Sequence, residues 1–93
     1  MVDARPSHRT KCRIFADILR SLNDGNVRVT HIIHDANVPY ERLMQYLDQM
    51  KRNGLITLDQ GSEGEIRITE KGMRYLTEFK IMEEFGSIFG VDV

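Results

Sequence analysis

The stretch PYERLMQYLDQMKRN, residues 39–53, carries the side chains best suited to hydrogen bonding and charge pairing with another molecule. Leu43, Leu47 and Met50 recur at helical spacing, which makes the stretch a helix with those three inward. Tyr40, Glu41, Arg42, Met44 and Gln45 then face outward in its first half, with Gln49, Lys51 and Arg52 beyond them. An α-helix fits the major groove of duplex DNA, and the residues near its N-terminus usually reach the base edges. There Gln45 suits a paired hydrogen bond to adenine, and Arg42 suits guanine or phosphate. Glu41 and Asp48 would repel phosphates unless aimed at cytosine amino groups. The bland reading of the same residues is the solvated face that any surface helix presents.

Other polar residues could hold a phosphate backbone. Thr30, His31 and Arg28 lie near a shorter upstream helix, and Arg9, Lys11 and Arg13 cluster near the start. Arg67 could support a contact beside the loop before it. A basic cluster of this kind is more often a solvated face than a binding patch. His31, His34 and Asp35 fall at i, i+3 and i+4, and His8 and Cys12 at i and i+4. Neither set has the two-pair spacing of a structural zinc site, so no metal or cofactor is expected. Cys12 is expected to pack as a small apolar residue. The sequence has no phosphate loop, nucleophile elbow or plausible triad, and so short a chain offers little concave surface for a substrate. An enzyme is not expected.

The elements that position these residues follow from local signals. Residues 1–7 read as a flexible arm. Ser7 or Thr10 can cap a first helix that runs to about Leu22. Its apolar stripe joins Cys12, Phe15, Leu19 and Leu22 with Ile14 and Ile18. Asn23-Asp24-Gly25-Asn26 is a strong turn. Val27-Arg28-Val29 is too short for a strand alone but could pair with one. Thr30 suits an N-cap for a short second helix with Ile32, Ile33 and Ala36 inward, ending at Asn37. Pro39 suits the first position of the third helix, and Gly54 its stop. Leu55–Asp59 and Ile66-Arg67-Ile68 read as two strands joined across Gly61–Glu65, the loop GSEGE. Thr69 caps a fourth helix carrying Met73, Leu76, Phe79, Met82 and Phe85. Two helices across a short link, followed by a hairpin, make a winged helix-turn-helix arrangement with an added C-terminal helix. The fold class is mainly α with a small β-hairpin (α+β).

The bulk numbers fit one small domain. The chain has 93 residues, is 41% hydrophobic and 29% charged, and has a formal net charge of −1. A sequence-blind nucleic-acid coating protein would be strongly basic. The charge is uneven, however. Residues 1–34 hold six Lys/Arg against three Asp/Glu, and residues 59–93 hold four against eight. The single cysteine excludes an intrachain disulfide and fits a reducing compartment. No apolar run approaches the roughly 18 residues of a membrane helix, and MVDARPSHR lacks the apolar core of a signal peptide. A cytoplasmic protein without membrane association is expected.

Two stretches, THIIHDANVPYERLMQYLDQMKRNGLI and ITEKGMRYL, with RTKCRIFADIL before them, resemble the archaeal ArnR-like winged helix-turn-helix family of predicted transcriptional regulators. The resemblance covers about residues 9–80. It rests on Ile32, Ala36, Asn37 and Val38, on the pair Tyr46-Leu47, and on Gly54-Leu55-Ile56. It implies binding of double-stranded DNA through the third helix and the wing. In some similar proteins a long C-terminal helix forms an antiparallel coiled-coil dimer. This chain departs from that pattern in its acidic GSEGE loop and in a last helix of at most about 20 residues containing Gly86.

The resulting expectation is one domain over residues 1–93, with a winged-helix core at 8–69 and a dimerisation helix at 70–89. The recognition helix spans 39–53 and enters the major groove. Tyr75, Phe79, Met82 and Phe89 fall near a coiled-coil spacing, Ile81, Phe85 and Ile88 widen the stripe, and Tyr75, Phe79, Met82, Phe85 and Phe89 are expected to form the seam of a homodimer. The alternative is a winged-helix protein–protein interaction module with little DNA affinity, which the acidic last third of the chain suits.

Overall fold

Thr10 starts the first helix, its hydroxyl accepting from the Arg13 N–H at 3.1 Å. This computed structural model describes residues 9–59, 64–91 and 93. The expected arm at 1–7 and most of the GSEGE loop lie outside them. The first helix, α1, spans Lys11–Asn23 and buries Ile14, Phe15, Ile18, Leu19 and Leu22. Cys12 is exposed, contrary to the expectation that it packs as an apolar residue. It lies in the first turn, where its side chain stays open to solvent while the Tyr75 hydroxyl donates to its carbonyl at 2.9 Å.

The second helix, α2, spans Val29–Ala36. Arg28, not Thr30, is its N-cap, and no side chain caps it. The Arg28 carbonyl takes the N–H groups of His31 and Ile32, both at 3.1 Å, so the helix has begun before Thr30. Asn37 ends it in the left-handed conformation, φ 56° and ψ 54°, and Val38 bonds back to Ile33. The third helix, α3, then spans Tyr40–Arg52. Pro39 is its N-cap rather than its first residue, and Asn53 its C-cap, so the expected helix shortens by one residue at each end.

Gly54, at φ +78°, closes α3 with two bonds. Its own N–H reaches Lys51, and the Leu55 N–H reaches Met50 at 2.9 Å. That second bond explains why the first strand starts one residue later than expected: the Leu55 N–H still belongs to the helix end. Strand β1, Ile56–Asp59, pairs antiparallel with β2, Glu65–Ile68, in the register Ile56 with Ile68 and Asp59 with Glu65. Val27 contributes one bond to this ribbon, its carbonyl accepting from Ile66 at 2.9 Å, while Val29 has already joined α2.

The last helix, α4, spans Glu70–Phe89 and begins at a tight corner. The Thr69 hydroxyl accepts from Gly72 at 3.0 Å and donates to the Gly54 carbonyl at 2.6 Å, while its N–H bonds Leu55. Gly72 is required here: a Cβ would lie 2.4 Å from the Leu55 oxygen and 2.7 Å from Ile68 Cγ1. The Gly-Leu-Ile and Ile-Thr-Glu-Lys-Gly stretches therefore meet in one corner that locks α4 to the hairpin. From there α4 runs along α1, with Tyr75 against Phe15 and an Arg13–Glu83 ion pair at 3.2 Å.

The core joins Ile18 and Leu19 of α1, Ile32 of α2, Leu43, Leu47 and Met50 of α3, and Ile56 and Ile66 of the hairpin. The fold is mainly α with a small hairpin, as the element order implied. No helix among the described residues is long and apolar enough to cross a membrane.

Candidate nucleic-acid interface

Burial of Leu43, Leu47 and Met50 fixes the rotation of α3. Tyr40, Glu41, Arg42, Met44 and Gln45 are all exposed as a result, Tyr40 by 58% and Met44 by 41%. Tyr40 and Met44 follow one stripe at i and i+4. Glu41, Gln45, Asp48 and Arg52 follow the next. On that second stripe Arg52 holds Asp48 at 3.0 Å, which offsets the acid. No described residue pairs with Arg42 or Lys51.

Thr30 and His31 are exposed in the first turn of α2, and Arg28 is exposed just before it. The other expected backbone contacts are placed differently. Arg9 is turned inward: it pairs with Asp17 at 2.7 Å and donates to the carbonyls of Ala36 at 2.9 Å and Asn37 at 2.7 Å. These are the last carbonyls of α2, where a cation satisfies orphan acceptors and the helix dipole. Arg9 thus clamps α1 to the turn between α2 and α3 and is not displayed for phosphate. Lys11 stands over the rings of Phe15 and Tyr46, at 5.6 and 5.8 Å from their centroids. Arg67 is paired with Glu65 on its own strand.

One feature was not anticipated from the sequence. A groove of about 400 Å³ runs between α3 and the hairpin, lined by Val29, Met44, Leu47, Lys51, Leu58 and Ile66 among others. Leu58 was legible only as a strand residue. The signal for its role is the exposed apolar position on β1, opposite the helix stripe that carries Met44.

The expected dimer seam divides in two. Phe79 is only 3% exposed and stacks with Tyr75 at a centroid distance of 6.4 Å. Tyr75 is half-buried against Phe15, and burial pushes its phenol well above the ordinary tyrosine range. Phe79 is covered by the chain itself, while Tyr75 keeps a partly exposed edge. Met82, Phe85 and Phe89 remain exposed with Ile81 and Ile88, and the rings of Phe85 and Phe89 stack at 6.0 Å.

Comparison with known proteins gives this geometry a setting. A winged helix-turn-helix family profile matches residues 8–86. The solved structure of Sso10a-2, a DNA-binding protein from Sulfolobus solfataricus, is similar at 30% identity with a TM-score of 0.72, covering 88% of this chain and 90% of that one. AF1382 from Archaeoglobus fulgidus shares the fold at 16% identity and a TM-score of 0.65, over 88% of this chain and 96% of that one. A MarR family protein from Bacillus stearothermophilus does so at 21% identity and 0.62, over 94% of this chain and 60% of that one. No curated protein matches the chain.

Proposed function

The chain belongs to the winged helix-turn-helix family, and from that premise we propose that it is a homodimeric, DNA-binding transcriptional regulator. We place it with the archaeal ArnR-like members on the residues that carry that resemblance. In this reading α3 enters the major groove, Tyr40, Arg42, Met44 and Gln45 face the bases, and Thr30 and His31 approach the phosphates. The observation that carries the reading is the outward face of α3. Its first half is uncovered, and two cations on the helix, Arg42 and Lys51, lack a described partner. The similarity to a DNA-binding protein at 30% identity supports it.

The dimer is read from the second half of α4. Five large apolar side chains stand exposed between Ile81 and Phe89, more than a small domain ordinarily leaves to water. A second copy covering them gives a closed, self-complementary contact.

A protein-interaction module is the second reading. It is favoured by one specific observation: Arg9 and Arg67, two of the cations expected at phosphates, are tied to Asp17 and Glu65. The two readings separate on Arg42→Ala and Gln45→Ala, measured by anisotropy of labelled duplex DNA. A regulator loses affinity in both, and Arg42→Ala also lowers the slope of log affinity against log salt by about one. An interaction module shows little affinity to begin with and no change.

A further inference from the structure

The hairpin has one open edge. The Ile66 N–H bonds the Val27 carbonyl at 2.9 Å, so it points away from β1. Ile66 stands opposite Leu58 in the ribbon, and two residues along Ile68 stands opposite Ile56. Bonded and non-bonded positions alternate in an antiparallel pair, so these two pairs exchange no backbone bond. The N–H and C=O groups of Ile56 and Leu58 therefore point outward from β1, away from β2. Among the described residues no backbone bond reaches them. Such an edge is a template for another extended backbone.

Side chains alternate along a strand, so Ile56 and Leu58 share the hairpin face turned toward α3. Ile56 is buried in the core there, while Leu58 is exposed and walls the groove of about 400 Å³ together with Met44. A strand added to β1 places every second side chain on that same face. The groove lining carries two carboxylates, Asp48 and Asp59, against one ammonium, Lys51. Arg52 holds Asp48 at 3.0 Å, and Asp59 is engaged within the protein. A carboxylate has about four acceptor sites, so one ion pair leaves others open. We propose that β1 is a docking edge for an extended segment of a partner protein. The segment adds a strand beside Ile56 and Leu58, seats an apolar side chain between Leu58 and Met44, and sets basic residues near Asp48 and Asp59. A second copy of β1 fits less well, because it returns its own Asp59 to a lining that already holds two carboxylates. The site does not depend on DNA binding by α3.

The test uses the isotope-labelled full chain and a capped Lys-Val-Arg-Leu-Lys-Val peptide. Affinity is read by NMR shift titration to about 1 mM, the weak end of specific binding, and amide exchange is followed at Ile56 and Leu58. Binding is expected to slow exchange at Leu58. N-methylation of the peptide amides that face β1 is expected to lower affinity about fivefold for each bond lost, and methylation of the alternate set to spare it. Leu58→Lys, checked for unchanged helicity by circular dichroism, is expected to weaken binding. No binding at the highest concentration, binding without protection of Leu58, or equal effects of the two methylated sets overturns strand addition. Equal binding of a peptide with glutamate at the basic positions overturns the choice of a basic segment. Protection of Leu58 that grows with protein concentration alone assigns the edge to a second copy and overturns the proposal as well.

Discussion

The two halves of α4 are alike in sequence and opposite in environment. Tyr75, Leu76 and Phe79 recur at helical spacing in the first half, and Met82, Phe85 and Phe89 continue that spacing in the second. The first half lies against α1 and the core: Tyr75 bonds the Cys12 carbonyl and Phe79 is 3% exposed. Among the described residues the apolar side chains of the second half have no such cover, with Phe85 60% and Phe89 69% exposed. The lesson concerns apolar stripes in general. Periodicity says that a face is to be buried, but not whether the chain's own core or another molecule buries it.

Substitutions at matched positions give the strongest test of this contrast. Phe79→Ala is expected to cost about 3–5 kcal/mol in urea unfolding, the range for emptying a buried aromatic site. Phe85→Ala is expected to leave protomer helicity intact and instead shift sedimentation toward the monomer mass. Equal stability losses in the two variants, with an unchanged mass for Phe85→Ala, would erase the distinction between the halves.

The corner where α4 begins supplies the next effect. Gly72→Ala forces a Cβ onto the Leu55 carbonyl, a backbone atom that cannot rotate away. A loss of about 3 kcal/mol is expected, the upper end for overpacking, read as a lower urea midpoint at unchanged slope. A loss below about 0.5 kcal/mol, the usual range for surface changes, would mean that the corner is looser than described.

A smaller effect is expected at Arg9→Ala. It removes charged hydrogen bonds to Asp17 and to the end of α2, each kind contributing about 1.5–3 kcal/mol when well formed. We expect about 2 kcal/mol of lost stability. DNA affinity at a temperature where the variant stays folded should be little changed. A large loss of affinity with full stability would return Arg9 to the phosphate-binding set.

Much of the fold was legible because its signals are local. Thr10 and Thr69 act as caps, Asn37 and Gly54 as stops, and the element order alone implied the winged-helix arrangement. The start of α2 was less so, because the Arg28 carbonyl begins the helix before the better capping residue Thr30. The face of α3 was readable from the spacing of Leu43, Leu47 and Met50, which left Tyr40 through Gln45 outward. Arg9 was not readable, since its partners Ala36 and Asn37 lie 27 and 28 residues away. Lys11 stands over Phe15, close in sequence, and over Tyr46, far from it, and Arg67 pairs with its near neighbour Glu65, yet nothing in their spacing marks a ring or a carboxylate as the partner. Nor could spacing reveal the groove beside Met44, which forms only when β1 brings Leu58 next to α3.

The central claim is that the outward face of α3 binds duplex DNA. The most direct test is anisotropy of a labelled mixed-sequence duplex titrated with the full chain at several salt concentrations. The account predicts binding whose logarithm falls linearly with the logarithm of salt, with a slope showing several phosphate contacts. No binding at the lowest salt, or binding indifferent to salt, would contradict it.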